Sequence, residues 1–201
     1  EIIQSIVNKT RGTLLNQNEL GSLNAGDTEN SEAYGLVKRG HELLAGFSRN
    51  ETKEAEELFK KALELDPNYA DAYFGLAYTE HQSPGVSLKK PKESIPSAKR
   101  YLKKALELNP GHVRSKILKL IMTIKHDWNT ENIFEDVDSL ISKHQNNPDV
   151  LRELGVIYTH SGDHEKAITI LNQGLALDPK NSWIHAGLAF SHFLAGNIKL
   201  S

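Results

Sequence analysis

Three stretches of thirteen residues write nearly the same helix: 55–67 reads AEELFKKALELDP, 98–110 reads AKRYLKKALELNP and 167–179 reads AITILNQGLALDP. Each is amphipathic, carries small residues where it must approach a neighbour, and stops at a fixed place on Asp-Pro or Asn-Pro. A unit that recurs in this way cannot bury its apolar face alone. It stacks on its neighbours, so the chain is constrained to an array of like hairpins, and arrays usually bind rather than catalyse.

The clearest unit runs over 148–181. Its first helix places Leu151, Leu154, Gly155 and Tyr158 on one face. The turn Ser161, Gly162, Asp163 gives a glycine free to take positive φ and a cap for the second helix, which carries Ala167, Leu171 and Gly174. The first unit has Leu36, Gly40 and Leu43, then Ala55, Phe59, Ala62 and Pro67, with a turn over 45–52 longer than the pattern by about three residues. The second starts with Tyr69 to Ala77 in continuous helical pattern and resumes at Ala98. Between them, 82–97 holds Pro84, Gly85, Pro91 and Pro96 and reads as an exposed loop.

The third unit is degenerate. Ile117, Leu120, Ile121 and Ile124 mark its first helix and Ile133, Val137, Leu140 and Ile141 its second, but the small residues are missing. That pair is expected to sit farther apart, with Trp128 filling the gap. A fifth unit begins at Ser182 with Trp183, Leu188, Ala189 and Phe193 and lacks its second helix within the sequence. The units therefore fall near 33–67, 70–110, 114–147, 148–181 and 182–201. Ahead of this array (31–201), residues 1–30 form a separate segment. Ile2, Ile3, Ile6, Val7, Thr10 and Leu14 make one helical stripe followed by a polar stretch, read as a capping or docking helix. A dimerisation helix or a linker to a further domain are its other readings.

Composition narrows the function classes. The net charge of −2 supplies no general attraction to nucleic acid or acidic membranes. With no cysteine there is no disulfide, thiolate zinc site or thiol nucleophile, and the compartment stays open between cytoplasm and periplasm. No apolar run approaches the roughly 20 residues that span a bilayer, so no membrane insertion is expected of this region. Residue 1 is Glu and no signal peptide follows it, so the chain is expected to be a piece of a longer protein.

From about residue 31 to 196 the chain resembles tetratricopeptide-repeat proteins, on the small residues and prolines quoted above. The resemblance implies an all-α, right-handed superhelix of antiparallel helix pairs. A narrower likeness rests on Glu32, Ala33 and Tyr34 with Lys38, Arg39 and Gly40, on Leu65 to Ala70, on Gly75 to Ala77, and on His126 to Asn129. In these it resembles the repeat region that accompanies bacterial class III adenylate or guanylate cyclases and membrane-anchored winged-helix regulators. That likeness implies a sensory, protein-binding half of a signalling protein whose output domain lies upstream. The proline-rich insertion and the third unit depart from it.

In such an array the first helix of each hairpin lines the concave face. The residues directed into it are Tyr34, Val37, His41 and Leu44; Asp71, Phe74, Tyr78 and His81; Leu118, Met122, Lys125 and His126; Asp149, Arg152, Val156, Thr159 and His160; and Trp183, Phe190 and Phe193. An aromatic and aliphatic trough with a few polar groups suits an extended peptide or an amphipathic helix of a protein partner. The competing reading is that these residues pack against the next repeat. The positions that hold Lys and Asn in chaperone-tail clamps are Val37, His41 and Gly75 here, which argues against chaperone tails as ligands.

Other chemistry is thin. His81, His126 and His160 fall near the same end of three first helices. A pH or metal site is the sharp reading and exposed turn histidines the plain one, since successive repeats stand on the order of 10 Å apart. The basic run Lys89, Lys90, Lys92, Lys99, Arg100, Lys103 and Lys104 lacks interleaved aromatics apart from Tyr101, so it reads as a solvated face and not a nucleic-acid site. No phosphate loop, nucleophile elbow or zinc motif occurs, so neither enzyme nor cofactor is expected. Self-assembly through the N-terminal helix or the open fifth unit, as a homo-oligomer, and a small-molecule pocket are the alternatives to partner binding.

Overall fold

The structure, a computed structural model, describes residues 28–127 and 133–196, and every regular element among them is helical. In chain order these are α1 (Ser31–Leu44), α2 (Arg49–Leu65), α3 (Ala70–Gln82), α4 (Pro91–Leu108) and α5 (Val113–Met122), which runs into a π-helical turn, Thr123–Asp127. There follow α6 (Ile133–Lys143), α7 (Pro148–Ser161), α8 (His164–Leu177) and α9 (Ser182–Leu194). The N-terminal amphipathic stripe and Trp128 lie outside the described residues.

The three proline stops behave alike. Asp66, Asn109 and Asp178 have φ/ψ of −141/94, −135/92 and −134/84, because the following proline ring excludes the helical conformation from the residue before it. Their N–H groups still close onto Ala62, Ala105 and Gly174, so each helix ends two residues before the proline with its last turn intact. At the turn between α7 and α8, Gly162 takes φ 91 and Asp163 accepts from the Lys166 N–H at 3.1 Å, as the sequence led one to expect.

The chain divides into two compact units, residues 1–118 and 119–201. In the first, α1 pairs with α2 and α3 with α4, and α3 also packs on both α1 and α2. Phe59, fully buried on α2, fills the space between the hairpins, together with Val37, Ala55, Ala62, Tyr69 and Leu76. It fits only because two glycines face it. A β-carbon on Gly40 would lie 2.7 Å from its ring, and one on Gly75 would meet the same ring more closely still. In the second unit, α7 pairs with α8 and both pack on α9 around Leu171, Ile184 and Leu188.

Two sequence expectations need correction. The first turn is short. Asn50, Glu51 and Thr52 extend α2, whose first turn is capped by Ser48 accepting from the Glu51 N–H, and only residues 45–48 connect the helices. The insertion is also only partly a loop. Pro91 opens α4, where a missing N–H costs nothing, and Pro96 sits inside that helix. The remaining segment, 83–90, is tied down. The Leu88 N–H donates to the Ser83 carbonyl at 2.9 Å, Ser83 and Ser94 are fully buried, and the Lys89 ammonium reaches Glu80 at 2.8 Å and Glu56 at 3.1 Å.

Candidate functional site

Register explains the most polar cluster of the first unit. Asp71 lies four residues after Pro67, and Arg114 lies four residues after Pro110. The repeat therefore puts an anion and a cation at equivalent places on consecutive first helices, α3 and α5. Asp71 Oδ2 is 3.2 Å from His41 Nε2 on α1, while its Oδ1 is 3.4 Å from His112 Nε2 and 3.5 Å from Arg114 on α5. One carboxylate thus ties together the first helices of three successive units.

The tautomers follow from the surroundings. The Ser115 N–H points at His112 Nδ1 at 3.3 Å, which leaves the proton of neutral His112 on Nε2, toward Asp71. His112 acts there as an unusual cap at the start of α5. Burial pulls His41 below its ordinary 6.5, since the ring is wedged between Phe59 at 5.1 Å and Phe74 at 5.7 Å; the adjacent Asp71 only partly opposes this. For Asp71, burial acts upward, but hydrogen bonds from His112 and His41 and the Arg114 charge outweigh it and hold the carboxyl well below 3.8. Arg114 also lies over the Phe74 ring at 4.5 Å, and Tyr78 and His81 continue the row of rings at 5.9 and 6.3 Å.

This arrangement is a latch with a surface. His41 and His112 direct their N–H groups at Asp71 and Arg114 supplies the cation, and among the described residues no group of three or more His, Asp or Glu is placed to hold a metal. Beside the latch lies a shallow groove of about 390 Å³ lined by Tyr34, Val37, Lys38, His41, Glu42, Tyr69 and Asp71. Apolar walls with a few charged groups at the edge suit a side chain of a bound segment more than a reacting substrate.

Of the residues expected to face a partner, several do not. Val37, Leu44, Phe74, Leu118, Met122 and Thr159 are buried, because the positions that point along the row of first helices are the ones neighbouring helices cover. That burial favours the packing reading for these six, although Val37 still lines the groove. Tyr34 is exposed, and His41, Asp71, Tyr78 and His81 are half-buried; the structure gathers these in the first unit with the groove. In the second unit Lys125, His126, Asp149 and His160 are exposed, Arg152 is paired with Glu153 at 2.6 Å, and Val156 is half-buried. Partial burial and then the Lys125 charge lower the His160 pKa. Trp183, Phe190 and Phe193 stand exposed on α9, at 62%, 48% and 44%. His112 and Arg114 were missed by the sequence reading. The signal that finds them is the proline register, counted forward from Pro67 and Pro110 instead of backward from the glycines.

Comparison with known proteins agrees with the helical-repeat fold. A family model for the TPR repeat matches residues 45–83 and 155–196, in each case a second helix and the first helix that follows it. The chain is 27% identical over 139 residues to interferon-induced protein with tetratricopeptide repeats 2 of Cricetulus griseus, covering 69% of this chain and 28% of that protein. The human protein of the same name is 28% identical over 145 residues, 68% of this chain and 28% of its own length. Human protein O-mannosyl-transferase TMTC3 is 40% identical over 81 residues, 40% of this chain and 7% of that protein. The chain spans less than a third of the length of these relatives. It carries tetratricopeptide repeats, in an all-helical fold, and repeats of this kind make protein–protein interaction modules.

Proposed function

We propose that this region is a non-catalytic sensory module that binds an extended segment of a protein partner along the first helices of residues 31–118, and that it regulates an output domain in the same polypeptide. The observation that carries the reading is the groove beside Asp71: Tyr34, Lys38 and Glu42 border it, and the latch of His41, Asp71, His112 and Arg114 fixes its floor across three units. A site held by rigid helices orders little on binding, which favours affinity for a flexible peptide. The attachment to a cyclase or winged-helix output domain is supported by the sequence resemblance alone.

Selection of displayed random peptides against the folded chain tests the binding surface. Enriched peptides should lose affinity for Tyr34→Ala combined with Lys38→Glu, and keep it for Lys61→Glu, an exposed residue of α2 outside the groove lining. No enrichment, or equal loss in both variants, would remove the groove as the site. Adding a selected peptide to the full-length protein should then change the activity of its output domain.

The aromatic face of α9 favours a second reading, self-association. Trp183, Phe190, Phe193 and Leu194 are each at least 42% exposed on a single helix. Light scattering across a hundredfold concentration range decides it: a constant monomer mass for the parent and for Trp183→Ser excludes assembly through this face.

A further inference from the structure

From Ser182 to Leu194, α9 carries no Asp, Glu, Lys or Arg, and its titratable groups are His185 and His192. Ile184, Leu188 and Ser191 are buried on the side that packs on α7 and α8. Away from that side, Trp183, Ala186, Phe190, Phe193 and Leu194 are exposed and fall within about 100° of arc around the helix. A helix that is apolar all round is built to be covered on both sides.

The repeat register says what kind of element covers such a place. Gly162 and Gly196, both at positive φ, end α7 and α9, so equivalent places lie 34 residues apart. Phe193 therefore holds the place of Thr159, which is buried with its hydroxyl 2.8 Å from that of Ser191. On α7 that place is covered by another helix.

Charge separates the helices that could do the same for α9. Gly40 and Gly155 face Phe59 and Leu171, the large residues of their second helices, and so hold equivalent places. Counted from them, Ile184, Gly187, Leu188 and Ser191, which α9 turns toward the hairpin before it, correspond to Gly35, Lys38, Arg39 and Glu42 of α1. All four of these α1 residues are exposed, and Arg39 pairs with Glu42 at 3.4 Å. Head-to-tail stacking, α1 of one copy on α9 of the next, would strip water from three charged side chains against an apolar face.

We infer that the outer side of α9 joins a second copy of the chain face to face, α9 on α9 about a two-fold axis. This geometry rests on the self-association reading and gives it a definite form, a closed pair in place of an open row of copies. In a two-fold contact each surface meets its own kind, so a charge near the axis would face its like. The α9 stripe brings none. Ala186, small and exposed between Trp183 and Phe190, lets the two helices approach near the middle of the stripe. The exposed parts of the three aromatic rings and Leu194 amount to roughly 400 Å² per copy, about 800 Å² for the pair. That is the size of a weak, reversible dimer.

Sedimentation velocity of the whole chain over a hundredfold concentration range tests the pairing. The parent should pass from monomer to dimer and go no further. Phe190→Asp and Phe190→Lys should each weaken the dimer about tenfold or more, since each sets like charges across the axis. Circular dichroism checks that both remain helical. An equimolar mixture of the two should recover the dimer, which a damaged helix would not do. The chain has no cysteine, so Ala186→Cys puts a single thiol on the stripe and Arg39→Cys a single thiol on α1. A bismaleimide with a reach of about 10 Å, the spacing of packed helices, should link Ala186→Cys copies to one another and not to Arg39→Cys copies. Growth beyond the dimer, cross-links between the two variants, or a charge mixture as monomeric as its parts would overturn the two-fold pairing. The first two of these would leave self-association standing in a head-to-tail form. A parent that stays monomeric throughout removes self-association through this face altogether.

Discussion

Phe59 in the first unit and Leu171 in the second hold the same place in the repeat, each between a glycine of its own hairpin and a glycine of the helix that follows. The two units use that place differently. The larger Phe59 ring presses so closely on Gly40 and Gly75 that neither tolerates a β-carbon. Leu171 requires Gly155, where a β-carbon would lie 2.7 Å from its Cγ, but leaves Gly187 at an ordinary 3.4 Å. Consecutive first helices are also tied by different chemistry. The first unit uses Asp71 with two histidines and an arginine; the second uses the buried hydroxyl pair Thr159 and Ser191, 2.8 Å apart. One repeat template thus admits a tight, ionic joint and a looser, uncharged one. The same sequence period does not imply the same tolerance.

The largest expected effect is Gly75→Ala. Overpacking against Phe59 should cost about 3 kcal/mol, whereas Gly187→Ala should stay within about 1 kcal/mol of the parent, since the better helix propensity of alanine offsets the contact. Denaturant unfolding measures both, and equal costs would break the contrast. Phe59→Leu should relieve much of the Gly75→Ala penalty, a coupling of at least about 1 kcal/mol in a double-mutant cycle.

Asp71→Asn comes next, at about 2 kcal/mol, because it removes the charge and replaces one of the two acceptor oxygens with a donor that faces a half-buried histidine. The pH dependence should be larger in the same unit than in the second, where the exposed His160 is also held below its ordinary value. His41 is held below its unfolded value, so the unfolded chain takes up the proton first and stability falls as pH drops below 6.5. Asp71 is held below 3.8, so its contribution is present above that value and disappears as pH falls through its folded pKa. Hydrogen exchange at pH 7 and pH 5 should therefore show faster opening of α1 and α3 at the lower pH, and His41→Phe should remove most of that change. Equal acceleration in α7 would contradict the assignment.

The smallest effect belongs to the hydroxyl pair. Thr159→Val should cost about 1 kcal/mol, with the same value at pH 5 and pH 7. A pH-dependent cost would mean that the second unit has an ionic tie of its own.

Much of this was legible in the sequence. The proline stops, the cap at Asp163 and the close contacts at Gly40, Gly75 and Gly155 follow from residue type and spacing, because backbone sterics act locally. The candidate site was legible only in part. Tyr34, His41 and Asp71 could be placed by periodicity, but Phe74 and Thr159 lie one helical step away from half-buried or exposed neighbours and are themselves buried. Periodicity gives an angle around a helix, and whether that angle is covered depends on the helix packed beside it. Pro91 misled for a related reason: proline is costly where an N–H is needed, and the opening turn of α4 needs few, whereas Pro96 sits inside the helix without that excuse.

By itself, the sequence determined an all-helical chain of hairpins, where each helix stops, and which residues must be small, since proline sterics and β-carbon volume are properties of single residues. The tertiary structure alone decided that Asp71 joins His41, His112 and Arg114, that Lys89 turns inward while its neighbours face solvent, and that the groove forms beside Tyr34. Those facts depend on distances between residues 30 to 43 positions apart in the chain. Such distances are set by how hairpins stack: the proline register names equivalent positions on successive hairpins, but not how closely they approach.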